Sequence, residues 1–239
     1  MTTETAIATE TQAKPRCAQC TYGAPDAKGK AIITSHCAQH KRKYKGSDRP
    51  SFTVEMLKDF LHAAKPTKNA STKHLAMFLM MAIHGLRASE LAGMKVSDLD
   101  LPAKKVLVRR LKGSLTSNQS MQRLNGWDES EVLAAWLKER GEVNNDILFP
   151  SREGNGALSR QQIFRIFQNL CVAAKIAPEI AHVHAFRHTL GTLMYENGAR
   201  LEDIQQQLGH RSITSTTIYA SPSQAQVDSK VAKIFKNMR

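Results

Sequence analysis

Several things are scarce in this chain of 239 residues. Aromatic residues make up only 6% and cysteines number four. The most apolar run, Leu75 to Ile83, falls far short of the roughly 18–20 residues a membrane helix needs, so it reads as a buried helix. Met1 to Thr11 is acidic and Thr-rich, with neither the basic start nor the apolar stretch of a signal peptide. Cys17, Cys20, Cys37 and Cys171 without such a signal argue against a disulfide framework, and the expected compartment is the reducing cytoplasm. Acid is also scarce relative to base. The 21 Asp and Glu face 34 Lys and Arg, a formal charge of +13. Such an excess predicts attraction to a polyanion, because each cation placed on a phosphate releases a condensed counterion. Nucleic acid and an anionic membrane face both fit that balance. No strongly amphipathic basic helix supports the membrane.

The chain divides by texture. Residues 1–14 read as a disordered tail and 15–46 as a small Cys-rich module ending in the basic run Lys41 to Lys45. Residues 47–50 form a linker, marked by turn residues and Pro50. From Ser51 the pattern becomes mainly α with a small antiparallel β-sheet. Val54, Leu57, Phe60 and Leu61 share a helix face behind the cap Thr53, and a second helix through Leu75 to Ile83 stops at Gly85. Lys105 to Arg109 is β-branched and reads as strand, followed by a loop from Gly113 to Ser120. Asp128 with Glu131, and Ser159 with Gln162, mark helix starts. Helical segments follow at His184 to Glu196, Leu201 to Leu208 and Thr214 to Tyr219, then a last amphipathic helix at 224–239. Cys171 sits in an apolar helix and is expected to pack there. No internal repeat is present.

Four groups of residues carry chemistry. In His184-Ala-Phe-Arg187-His188 the spacing i, i+3, i+4 puts three polar side chains on one helix face. Imidazole beside guanidinium is unfavourable unless an anion lies between them. A guanidinium offers a fork for two phosphate oxygens and an imidazole exchanges a proton near neutral pH. A solvated basic face would have the same letters. Arg87 follows Gly85 where a new helical turn begins, a place suited to an anion, and Glu90 can hold its guanidinium. Leu208-Gly209-His210 precedes Tyr219 by nine residues. A tyrosine with its free pKa of about 10 needs nearby cations and a base to act as a nucleophile; otherwise it simply caps a core. Finally, Cys17-x-x-Cys20 and Cys37-x-x-His40 are two knuckles that can place four ligands tetrahedrally around a structural zinc, with His36 an alternative to His40. A module of this size cannot fold on its own core, so the metal would supply the folding energy.

The ordered set Arg…Glu, His-x-x-Arg, Gly-His and Tyr resembles the tyrosine recombinase (phage integrase) family over Ser51 to about Ser223. The phrases HGLRASEL, HAFRHTLGTLM and LGHRSITSTTIYA carry the resemblance, and IHGLRASEL, VSDLDL, RLKGSLT and LSRQQ have the flavour of the short fimbrial phase-variation invertases. The resemblance implies a site-specific DNA recombinase that cuts and rejoins double-stranded DNA through a 3′-phosphotyrosyl link at Tyr219. Arg87 and Arg187 would bracket the phosphate oxygens, His210 would donate to them, and His184 would accept the tyrosine proton. Lys112 would be the general acid for the leaving 5′-oxygen, with Lys104 and Lys105 close by, and Glu90 would support Arg87. No cofactor is required for that chemistry. A tetramer on DNA, accessory DNA-bending proteins and a C-terminal helix docked in cis or on a neighbouring protomer are further implications. Most relatives carry a helical core-binding domain of around a hundred residues before the catalytic domain. Here the zinc module stands in that place. A type IB topoisomerase-like relaxation activity and a zinc-containing DNA-binding regulator with a decayed site are the competing readings.

Overall fold

The computed structural model describes residues 51–67, 71–111, 115–142, 145–151 and 156–220. The expected zinc ligands Cys17, Cys20, Cys37 and His40, the residue Lys112 and the C-terminal helix lie outside them.

Helix α1 (Val54–Ala63) starts where the Thr53 hydroxyl accepts from the Met56 amide. It buries Leu57, Phe60 and Leu61, whereas Val54, expected on that face, is 40% exposed in the first turn. Helix α2 (Thr72–His84) is apolar all round, and every residue from Leu75 to His84 is buried. A helix with no polar face must be surrounded, and α2 packs against α1, α4 (Glu129–Arg140) and α6 (Ala185–Glu196). It ends where Gly85 adopts the left-handed conformation at φ 59°, which only glycine enters without strain.

After the short α3 (Ala88–Ala92) comes a three-stranded antiparallel sheet of β1 (Leu99–Asp100), β2 (Lys105–Val108) and β3 (Ser117–Ser120), in that spatial order. The register sets Val106 opposite Gln119 and Val108 opposite Ser117. Residues 117–120, expected as loop, are thus a strand. Ser-Asn-Gln-Ser has little intrinsic β preference, but β2 offers it a free edge and Gln119 turns inward, 6% exposed. A hairpin of β4 (Arg123–Leu124) and β5 (Trp127–Asp128) turns at Asn125 and Gly126, both at positive φ, as a tight hairpin turn requires. Asp128 then caps α4 by accepting from the Ser130 amide.

The Ser159–Gln162 capping box opens α5 (Arg160–Ala173), and α7 (Leu201–Leu208) follows α6. Instead of one short helix before Tyr219, two 3-10 turns occur, Ile213–Ser215 and Thr217–Tyr219. Five phenylalanines, Phe52, Phe60, Phe78, Phe167 and Phe186, bind α1, α2, α5 and α6 into one core, with Phe60 5.1 Å from both Phe78 and Phe186 between ring centroids. Buried Cys171 packs into that core, and its thiol is pushed up to about 12 by burial. A smaller cluster of Ile204, Leu208 and Tyr219 holds α7 against α6. Among the described residues no helix is long and apolar enough to cross a membrane.

Candidate active site

The site forms where two helices end facing each other. The last carbonyls of an α-helix lack intrahelical donors and carry its negative pole. The ends of α2 and α7 converge, and two buried guanidiniums lie between them. Arg187 donates to Gly85 O at 2.8 Å and to Leu208 O at 2.5 Å. Arg110 donates to His84 O at 2.7 Å, Gly85 O at 3.3 Å and Gln207 O at 2.6 Å. Each arginine satisfies orphan carbonyls and offsets the repulsion of two like poles. Nothing in the basic run around Arg110 signalled that this one residue is buried, since its neighbours Arg109 and Leu111 are exposed.

Arg87 occupies the N-cap of α3, as its position after Gly85 implied. Its guanidinium meets Glu90 Oε1 at 2.5 Å while its amide donates to Oε2 at 2.9 Å. Glu90 also receives Arg110 at 3.0 Å. Burial would raise the Glu90 carboxyl, but the Arg87 amide and the Arg110 charge outweigh it, and the group is held below its ordinary value. One carboxylate is thereby shared by two arginines, and with Arg187 beside them the centre keeps an excess of positive charge. Burial first, then Arg87 and Arg110, pull the Arg187 guanidinium down to about 9. An anion placed there would relieve all three cations at once.

Helix α6 carries the next elements. His184 is its N-cap, one residue outside the regular helix. Its imidazole is pushed below its ordinary value by burial, then by Arg187 and Arg87. Arg187, His188 and Gly191 follow on the same face. Gly191 leaves room for Tyr219. A methyl group there would stand 2.5 Å from Cζ of the phenol, far inside van der Waals contact. The tyrosine ring therefore lies directly on the helix backbone, 9% exposed, and its hydroxyl pairs with His188 Nδ1 at 3.4 Å.

His210 follows the left-handed Gly209 that ends α7. Its ring is parallel to that of Tyr219, 4° between planes and 6.4 Å between centroids. Its Nδ1 pairs with the hydroxyl of fully buried Thr216 at 2.9 Å, which fixes the ring and leaves Nε2 as its second polar atom. Burial, then the charges of Arg187, Arg87 and Arg110, depress it to about 4, so it is neutral at pH 7. If the threonine hydroxyl donates to Nδ1, Nε2 carries the proton and can donate to an oxyanion.

Arg87, His184, Arg187, His188, His210 and Tyr219 line one open cavity of about 530 Å³. Five sequence-selected residues from four separate stretches thus meet at one place, and Glu90 lies behind Arg87. The Leu111 amide, next to Lys112 in the chain, is 3.4 Å from Glu90 Oε1. His188 was placed on the helix face of His184 and Arg187 but given no role of its own, and Arg110, Gly191 and Thr216 are the members of the arrangement that the sequence did not single out. Only Gly191 left a trace, at i+7 from His184 on the stripe 184, 187, 188, 191. Among the described residues no group of three or more His, Cys, Asp or Glu could hold a metal ion.

Residues 50–226 match the phage integrase family. The chain is 35% identical over 153 residues to the type 1 fimbriae regulatory protein FimE of Escherichia coli K12, covering 62% of this chain and 74% of FimE. It is 33% identical over 184 residues to FimB of the same strain, covering 76% of this chain and 88% of FimB. Tyrosine recombinase XerD of Brucella abortus is 33% identical over 162 residues, 66% of this chain and 51% of XerD. The crystal structure of XerA recombinase superposes with a TM-score of 0.64 at 27% identity, over 77% of this chain and 64% of that one. The chain thus spans just under two thirds of the XerA chain. By the matched span, and by a relative 33% identical over most of both chains, this chain belongs to the phage integrase family of tyrosine recombinases.

Proposed function

We propose that this chain is a site-specific DNA recombinase that cleaves and rejoins double-stranded DNA through a 3′-phosphotyrosyl intermediate on Tyr219. The observation that carries this reading is the convergence of Arg87, Arg187, His184, His210 and Tyr219 on one cavity. Tyr219 Oη attacks the scissile phosphorus. Arg87 and Arg187 meet the charge that grows on the non-bridging oxygens, and neutral His210 adds a hydrogen bond from Nε2. Fixed cations in a partly desolvated site are the kind of preorganised electrostatics that supplies most of the barrier lowering in such reactions. A histidine of α6 takes the phenolic proton, His184 by the family resemblance. Lys112 protonates the departing 5′-oxygen. Glu90 holds Arg87 in place. The covalent link keeps the energy of the phosphodiester, so rejoining to a different 5′-hydroxyl needs no nucleotide triphosphate.

The rest of the chain extends this reading. Cys17, Cys20, Cys37 and His40 hold a structural zinc, a donor set suited to a closed tetrahedral site. The module and Lys41 to Lys45 clamp the DNA, and several copies, four in the fully assembled state, act together on two sites with DNA-bending proteins as accessory partners. Metal analysis of the purified chain should find one zinc, lost in Cys20→Ser; a metal-free wild type overturns the zinc site.

The primary test is incubation with nicked or supercoiled DNA carrying the sequence that flanks the gene, followed by denaturation. A covalent protein–DNA complex present in the wild type and absent in Tyr219→Phe is expected. Tight DNA binding without any covalent complex would favour a DNA-binding regulator.

A further inference from the structure

The end of α7 that carries His210 rests on a closed set of hydrogen bonds, none of whose residues lines the cavity. Gln119 of β3 donates from Nε2 to Gln207 O at 3.0 Å and to Ser117 Oγ at 2.9 Å. The Gln207 side chain answers from its own Nε2, to Gln119 Oε1 at 2.9 Å and to Ile83 O at 3.3 Å. Backbone carbonyls only accept, so Gln207 O and Ile83 O fix which end of each amide is nitrogen. Gln119 Oε1 is therefore turned to His84 Nδ1, 2.8 Å away, and that nitrogen has to donate. The other ring nitrogen of His84 meets Glu129 Oε1 at 2.8 Å, and Oε2 of the same carboxyl accepts from the Gln122 amide at 3.1 Å. His84, Gln119 and Glu129 are all buried. Every polar side-chain atom of His84 and Gln119 has a partner, and a buried polar set that is fully satisfied is rigid. From Gln207 the constraint reaches the site within three residues. Gln207 O is also held by Arg110, and Leu208 O by Arg187. His210 moves with that turn, because its amide donates to Gln205 O at 2.9 Å and its carbonyl accepts from Gln205 Nε2 at 3.0 Å.

We infer that Gln119, oriented by the buried pair of His84 and Glu129, is a positioning residue for DNA cleavage: it seats the last turn of α7 so that His210 meets the phosphate. The inference rests on the reading of His210 as a donor to a non-bridging oxygen. Gln119 acts through Gln207. Without its amide, Gln207 O keeps Arg110, but the Gln207 side chain loses its acceptor on β3, and the turn is no longer held from that side. A donor to an oxyanion is effective only within about 3 Å of where the charge develops. A shift of the turn by about one ångström therefore weakens His210 while leaving Arg87, held by Glu90 on α3, in place. The residues that make the seat come from α2, β3, α4 and α7, so no local spacing reveals them.

The test uses the full chain and a supercoiled plasmid carrying the DNA that flanks the gene. The rate of covalent complex formation is read at saturating protein, well below the melting temperature of every variant. Gln119→Met, which keeps the length of the side chain without its amide, should slow the step about 10-fold or more, towards the roughly 10²-fold that a one-ångström misplacement costs. Gln119→Glu, which still accepts from His84 but cannot donate to Gln207 O, should be slow as well. The deciding comparison is with His210→Ala, alone and combined. Because Gln119 acts through His210, the double variant should be no slower than His210→Ala alone, within about twofold, whereas the losses of Gln119→Met and Arg87→Lys should multiply. If Gln119→Met does not fold, Gln207→Met, which removes the reciprocal bond from the α7 side, takes its place in both comparisons. A rate near that of the wild type, losses that multiply with His210→Ala, or equal coupling to Arg87→Lys overturns the inference. A His210→Ala rate equal to that of the wild type overturns instead the reading of His210 on which it rests, and a covalent complex that persists in Tyr219→Phe overturns that of the nucleophile.

Discussion

Tyr219 depends on what lies beneath it as much as on what lies beside it. Its ring is seated on the backbone of α6 because residue 191 has no side chain, so Gly191→Ala is a direct test of that seat. The added methyl would have to displace the phenol by about an ångström, a misplacement that typically costs about 10²-fold in rate. We expect covalent complex formation to fall by that order while the melting temperature and plasmid binding change little. His210 offers a second test at this scale. At pH 7 it is neutral in the folded chain and mostly neutral in the unfolded one. As the pH falls below 6.5, the unfolded chain gains a proton that the folded chain refuses until about 4. Stability is therefore lost progressively across that window. A His210→Gln variant should show a shallower fall of melting temperature between about pH 6.5 and 4; an identical slope in both proteins would mean the site does not resist protonation.

The elements meet through arginine. Helices α2 and α7 end face to face, and Arg110 binds both ends while sharing Glu90 with Arg87. Removing one member of a buried ion pair typically costs about 3–5 kcal/mol, because the remaining charge and the freed carbonyls stay desolvated. Arg110→Met should lose stability of that order in denaturant unfolding. Arg110→Lys should recover only part, since one ammonium cannot reach carbonyls on two helices and a carboxylate together. A loss well under 1 kcal/mol for Arg110→Met would mean that water satisfies the helix ends. Other elements were legible from local chemistry alone. The Ser159–Gln162 capping box and the Gly85 and Gly209 stops work within a few residues of chain. Strand β3 was not legible, because its four polar residues become strand only by pairing with β2.

Across the whole molecule, charge is the dominant property. A chain with a formal +13 that neutralises six to ten phosphates should lose about 10³–10⁵ in DNA affinity between 50 and 200 mM salt. Replacing Lys41, Arg42, Lys43 and Lys45 by Gln in the full chain should lower the slope of log affinity against log salt by about 3–4 if all four contact phosphate. An unchanged slope would remove that run from the DNA interface and leave the module a role with a partner protein.

What the sequence determined by itself was whatever a short stretch of chain controls: the helix caps and stops, the apolar run of α2, the excess of base, and the identity of the residues for phosphate chemistry. The family phrases did the same for order and spacing, placing Arg87, His184, Arg187, His210 and Tyr219 in one set. Tertiary structure alone decided which imidazole touches the tyrosine, which of several arginines is buried, and why position 191 has to be glycine. The reason is physical. His184 and His188 share a helix face and are equivalent in spacing, and Arg109 and Arg110 are equivalent in charge. They become different only when the chain folds back through α7, laying Tyr219 over Gly191 in the middle of α6 and the Gln207 carbonyl against Arg110.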